Sequence, residues 1–206
     1  MRARSLMVSL ALVSGLVVLC DHYVDVPVAR FFDRLLQLDP RWRSYTGNIP
    51  DLLQFFVLVA TAFSWAGYWV LSRRGRGYEA RFLRLAGTCI PASYVAKEVL
   101  KLVFSRSNTR AWLAHRVSYA FHWFHGGSGL NGFPSGHMAV FTALGAALWL
   151  YYGRYRPVYA AGLSALGLAL IVTDYHFVSD VIGGFYLGVL VCLYTQRWLG
   201  DGEAQG

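Results

Sequence analysis

Pro134-Ser135-Gly136-His137 runs directly into a stretch without a single charged residue, Met138 to Gly153. With a few flanking residues such a stretch approaches the roughly 20 needed to cross the hydrocarbon core of a bilayer. Apolar stretches also occur at 5–20, 52–72, 82–104, 157–173 and 181–196. At 56% hydrophobic and 15% charged residues, the 206-residue chain is too apolar for a soluble domain of its length. The expected fold class is therefore all-α, a bundle of six transmembrane helices in one domain spanning 1–206, with no repeat or low-complexity segment. The 82–104 stretch carries Lys97, Glu98 and Lys101 near its end. A charge within a span costs about 2.5–3.5 kcal/mol even on insertion scales, so these side chains are expected to face a watery cavity or one another.

The arginines set the orientation. Arg2 and Arg4 precede the first stretch, and Arg73, Arg74, Arg76, Arg81 and Arg84 cluster between the second and third. Arg154 and Arg156 follow the fourth, and Arg197 closes the sixth. These ends alternate onto one side, which the positive-inside rule assigns to the cytoplasm of a bacterial-type inner membrane. The 105–135 loop and the 174–180 turn then face the periplasm or exterior. So does the 21–51 connection, where Arg30, Arg34, Arg41 and Arg43 are offset by Asp21, Asp25, Asp33, Asp39 and Asp51. In that connection Val28, Phe31, Phe32, Leu35 and Leu36 recur at helical spacing, as in an interfacial helix between spans 1 and 2 or a cap over the bundle. The net charge of +8 is dispersed over membrane-flanking loops, so topology explains it and no nucleic-acid partner is expected. Leu19, just before Cys20, is too large for a processing site, so 1–20 is read as a retained span. Cys20, Cys89 and Cys192 are odd in number and widely spaced, and imply neither a disulfide nor a metal framework.

Two sets of polar residues stand at helix mouths. Ser135 is placed to cap a helix, Gly136 allows close approach to the backbone, and the free N–H groups of that helix start favour an anion such as phosphate. His176 and Asp180 are four residues apart and lie one above the other on a helical path, so the carboxylate can hold one imidazole N–H and leave the other nitrogen nucleophilic. His137 is the candidate acid partner. Lys97 and Lys101, the only lysines, lie one turn apart, and Arg106 and Arg110 follow in the loop. Several cations converging near a helix N-terminus would neutralise a phosphate and its transition state, although lysines at a span end also snorkel to the interface. His122 and His125 lack a third ligand of matching spacing and are read as aromatic-loop packing, with no metal implied. Asp174 is left out of the catalytic set.

Together these residues resemble the type 2 phosphatidic acid phosphatase superfamily of six-span lipid phosphatases. That family's pattern has three parts: a lysine, six intervening residues and Arg-Pro; then Pro-Ser-Gly-His; then an arginine, five intervening residues, a histidine, three more and an aspartate. The second part is intact at Pro134 to His137, and His176 and Asp180 match the end of the third. Counting from Lys101, the Arg-Pro slots hold Asn108 and Thr109, and the third part's arginine slot holds Leu170. The resemblance covers about 95–190. It implies His176 as nucleophile, polarised by Asp180, with His137 as acid. Lys101, Arg106 or Arg110, Ser135 and Gly136 would hold the phosphate oxygens, with no metal or cofactor. An arginine restored at Asn108 is expected to raise the rate. The implied substrate is a membrane lipid phosphate or diphosphate, with undecaprenyl diphosphate, phosphatidylglycerol phosphate, phosphatidic acid and lipid A types all open. A lipid phosphotransferase and a non-catalytic lipid-binding or transport protein are the alternatives.

Overall fold

The computed structural model describes residues 3–36 and 49–203. Arg2, Asp39, Arg41 and Arg43 of the orientation argument lie outside them, as does the side chain of Asp51. Among the described residues the regular structure is helical, apart from a single bridge between Arg106 and Phe121. The helices are α1 (Ala3–Tyr23), α2 (Asp25–Leu36), α3 (Ile49–Arg73), α4 (Gly77–Phe104), α5 (Thr109–Leu113), α6 (Gly136–Tyr151), α7 (Arg156–Val172) and α8 (Val178–Glu203).

The six expected stretches fall on α1, α3, α4, α6, α7 and α8. Four segments are by themselves long and apolar enough to cross a membrane: Arg4–Tyr23, Leu52–Arg73, Gly153–Val172 and Val178–Gly200. The other two differ for physical reasons. α4 carries the Lys97, Glu98 and Lys101 charges, and α6 has only 16 residues. α6 is the central helix, packed against α4, α7 and α8, with Ala139, Val140, Ala143 and Ala147 wholly buried. Its environment is protein, so its length need not match the hydrocarbon thickness. The outer helices show the reverse: Leu12, Val18, Leu58, Phe63 and Leu168 are more than half exposed, as lipid-facing side chains are.

Small residues bring α6 and α8 together. A Cβ on Gly188 would lie 2.4 Å from the Ala139 carbonyl oxygen and 2.7 Å from Thr142 Cβ, and one on Gly184 would lie 2.5 Å from the Ser135 carbonyl oxygen. Such close backbone contact is how helices associate where lipid removes the hydrophobic drive. Gly188→Ala is expected to lower unfolding stability by about 1–3 kcal/mol through overpacking against backbone. A reduced Tm in detergent would register it, and an unchanged Tm would mean the two helices can part without loss.

The arginine-rich ends gather at one end of the bundle. There Tyr78 packs on Tyr151, Phe82 packs on Tyr152, and Arg84 donates to the Leu199 carbonyl at 3.5 Å. The 105–135 loop, the α7–α8 turn and the start of α6 meet at the other end. α2 lies over that end, with Asp25 and Ala29 buried and Phe31 and Leu35 exposed. It therefore caps the bundle while keeping an apolar outer face.

Candidate active site

The α7–α8 turn is built to present His176. α7 ends on Thr173, and Asp174 adopts the left-handed conformation at φ 51° that aspartate tolerates better than most residues. Asp174 N–H then bonds the Ile171 carbonyl, and Tyr175 N–H bonds the Leu170 carbonyl, both at 3.0 Å, which is the paired closure that terminates many helices. His176 N–H bonds the same Leu170 carbonyl at 3.1 Å. The imidazole, only 5% exposed, has Nδ1 3.5 Å from Asp180 Oδ2. The Asp180 carboxylate is buried and fixed on both oxygens. Oδ2 accepts the Phe177 N–H at 3.0 Å, and Oδ1 accepts from Arg106 Nη1 at 2.5 Å. Burial holds the His176 imidazole below its ordinary range against the opposing pull of Asp180, so the ring is neutral near pH 7.

At the start of α6, the Ser135 side chain accepts the Met138 N–H at 3.4 Å, and its own N–H bonds the Asp180 carbonyl at 3.0 Å. The two motif-bearing helices are thereby tied together at their mouths. His137 follows, with its ring edge-on to Tyr175 at 5.5 Å between centroids. Tyr175 also packs against His176 at 5.3 Å, and the Arg110 guanidinium lies 4.8 Å over it. The tyrosine thus spaces the two histidines and carries a cation on its ring.

A cavity of about 510 Å³ collects these groups. Its walls include Lys97, Lys101, Arg110, Gly136, His137 and His176. Lys97 extends its stem across Gly136, where a Cβ would meet Lys97 Cδ at 3.1 Å. Its ammonium pairs with Glu98 and sits 4.0 Å over the Tyr94 ring. The charges near the end of α4 therefore face one another and the cavity. A second hollow of about 480 Å³ shares Asn108 and Arg110 with the first and adds Arg116, Ser128, Thr173 and Asp174.

Of the expected set, His137, His176, Lys101, Arg110 and Gly136 line the cavity. Two do not. Ser135 is fully buried behind the wall, where its hydroxyl serves as the helix cap. Arg106 is buried behind Asp180, its guanidinium engaged by Asp21, Asp25, Asp180, Ser179 and Tyr119, which leaves it turned away from any phosphate. Arg110, held by the Thr173 carbonyl at 3.1 Å, is the loop arginine that reaches the cavity. Leu170, in the family's arginine slot, packs with Met138 and Val181 in an apolar cluster. Asn108 caps α5, accepting the Ala111 N–H at 2.7 Å, so an arginine there would remove a cap contributing about 1 kcal/mol to the helix that carries Arg110. Any gain in rate from an arginine at Asn108 would have to offset that loss. Tyr175 is a cavity residue missing from the expected set, and Lys97, already paired with Lys101 among the converging cations, lines the cavity as well. Lys97 was visible as one of two lysines a turn apart, whereas Tyr175 gave no sequence signal beyond its place beside His176. His122 and His125 lie in the loop, and the His125 ring meets the His122 and Trp123 carbonyls; among the described residues no group of three or more His, Cys, Asp or Glu is arranged to hold a metal ion.

An all-helical membrane bundle, with a His–Asp pair facing a second histidine across a cation-lined cavity, defines the class to which the comparisons also point. The PAP2 superfamily model matches residues 82–202, and the chain belongs to that superfamily. It is 30% identical over 160 residues to a protein of Rhizobium johnstonii named lipid A 1-phosphatase, a match covering 76% of this chain and 62% of that one. A protein of the same name from Rhizobium etli is 30% identical over 133 residues, covering 63% of this chain and 57% of its own. The chain thus spans somewhat under two thirds of the length of these relatives. No solved structure matches it.

Proposed function

We propose that this protein is a lipid phosphatase that removes phosphate from a membrane lipid through a phosphohistidine. The observation that carries the reading is the shared cavity, in which a buried neutral histidine backed by aspartate, a second histidine and three cations converge. His176 Nε2 attacks phosphorus as the bond to the leaving oxygen breaks. Lys97, Lys101, Arg110 and the N–H groups at Gly136 neutralise the charge on the three equatorial oxygens. His137 donates its proton to the departing oxygen. Water then attacks the phosphohistidine, His137 takes the water proton, and the P–N bond breaks to release phosphate and restore His176. Cationic side chains and a helix start here do what a metal pair does in other phosphatases.

The relatives' name makes a lipid A 1-phosphate type of glycolipid the leading substrate. The second hollow supports it, because its mixed apolar and polar walls beyond Arg110, with Arg116, Ser128 and Thr173 among them, offer room for a headgroup larger than phosphate. The test is phosphate release by the purified chain over lipid A, phosphatidylglycerol phosphate, phosphatidic acid and undecaprenyl diphosphate, with EDTA present and with or without an acceptor lipid. Release from lipid A without metal or acceptor is expected. Turnover that requires an acceptor would identify a phosphotransferase, and no turnover on any lipid would leave a binding protein.

Arg110→Lys is expected to cost about 1–3 kcal/mol in transition-state stabilisation, because a point charge cannot reproduce a two-pronged contact to phosphate oxygens. Unchanged kcat/KM would remove Arg110 as the clamp. All six long helices are taken to span an inner membrane, with the site facing the periplasm or exterior. A cysteine at Ser128 should then react with an impermeant thiol reagent in intact cells and one at Gly75 should not; the reverse labelling would put the chemistry in the cytoplasm.

A further inference from the structure

Behind the His176–Asp180 pair lies a buried ionic cluster that the reaction scheme does not use. Arg106, 1% exposed, is its centre. Nη1 donates to Asp180 Oδ1 and Ser179 Oγ, both at 2.5 Å. Nη2 donates to Asp21 Oδ1 at 2.6 Å, Asp25 Oδ2 at 2.7 Å and the Tyr119 hydroxyl at 2.9 Å. Asp25 is buried as well, and reaches the backbone next to Asp180 directly: its Oδ1 accepts the Ser179 N–H at 3.0 Å, and Oδ2 accepts the Ser179 hydroxyl. Tyr119 donates to Asp21 Oδ1 at 2.7 Å. The rings of Tyr119, Phe121 and Phe177 enclose the guanidinium at 4.9–5.4 Å.

Two features distinguish this cluster from an incidental ion pair. It sets one guanidinium among three carboxylates, two of them completely buried, an arrangement that replacement by apolar side chains would usually stabilise. It also joins segments far apart in the chain. Asp21 and Asp25 belong to the α1–α2 junction, outside the 82–202 stretch matched by the superfamily model, whereas Asp180 stands at the start of α8. A guanidinium fork presents donors in fixed directions, so an arginine anchored by Asp21 and Asp25 on one nitrogen leaves Asp180 little rotational freedom on the other. The partner oxygen of Asp180 is the one 3.5 Å from His176 Nδ1.

We propose that Asp25, Asp21 and Arg106 are positioning residues for catalysis: the α1–α2 junction orients the Asp180 carboxylate through Arg106 and Ser179, and thereby aims His176. The inference rests on His176 acting as nucleophile. Burial raises the Asp25 carboxyl against the lowering effect of Arg106 and Ser179.

The test is steady-state phosphate release by the full chain, on the lipid turned over best, for Arg106→Lys, Asp25→Asn, Asp180→Asn and the Asp25→Asn/Asp180→Asn double variant. Lysine keeps the charge but cannot bridge Asp180 and Asp25. Arg106→Lys and Asp25→Asn are each expected to lower kcat on the order of 10- to 100-fold while KM stays within about twofold, because substrate touches neither residue. If Asp25 acts through Asp180, its replacement adds less than about threefold in the Asp180→Asn background, whereas independent effects would multiply. Folded single variants with wild-type kcat, or full multiplication in the double variant, overturn the proposal. Should these variants not fold, Asp21→Asn, whose side chain is 24% exposed, and Tyr119→Phe carry the test. A several-fold loss of kcat at constant KM is expected there, and no loss overturns it. An active His176→Ala would instead refute the nucleophile assignment. A dead His176→Ala beside a normal Asp25→Asn refutes only the positioning role.

Discussion

His176→Ala is expected to abolish phosphate release, with a loss on the order of 10⁶ in kcat, and to leave no base-stable, acid-labile phosphohistidine when protein labelled with radioactive lipid phosphate is quenched in alkaline denaturant. The size follows from chemistry rather than binding: with the imidazole gone, only water remains to attack phosphorus, while the cations still hold the substrate. KM should therefore change little. A dependence on pH follows from the same burial. A neutral imidazole is the attacking form, and burial holds His176 below the ordinary imidazole value of about 6.5, so rising acidity removes activity only once the pH falls beneath that value. An acidic limb of kcat well above 6.5, or residual label in His176→Ala, would point to a different nucleophile.

His137→Ala should behave differently. The residue lies across Tyr175 from His176 and lines the same cavity, where it can reach the leaving oxygen. Without its proton an alkoxide departs poorly, and a loss of roughly 10²–10⁴ is expected on phosphomonoesters. A diphosphate expels a phosphate, a far better leaving group, so the loss there should be much smaller. The ratio of the two losses is thus the diagnostic quantity. Equal losses on a lipid monophosphate and on undecaprenyl diphosphate would mean that His137 binds phosphate and does not protonate the leaving group.

The placements that the sequence left open have physical reasons. Arg106 and Arg110 flank the vacant Asn108 slot symmetrically, and nothing in their spacing tells them apart. The bridge between Arg106 and Phe121, together with the short helix capped by Asn108, turns Arg106 toward the α1–α2 junction and Arg110 toward the cavity. Asp21 and Asp25 read as counter-charges to neighbouring arginines, because their true partner is more than 80 residues away in sequence. Ser135 caps α6 as its place before the apolar run implies, and that duty buries its hydroxyl behind the cavity wall.

By itself the sequence determined what depends on local composition and short spacing. Apolar runs must become helices where no water satisfies the backbone, Pro-Ser-Gly starts a helix whatever follows, and a four-residue interval brings His176 and Asp180 within reach on one turn. Tertiary structure alone decided which cations line the cavity and which are spent on carboxylates. That choice turns on the direction of side chains projecting from a long loop and from helices at opposite ends of the sequence. It is settled by the packing of α6 against α8 and of α2 across the bundle's end, which no local periodicity encodes.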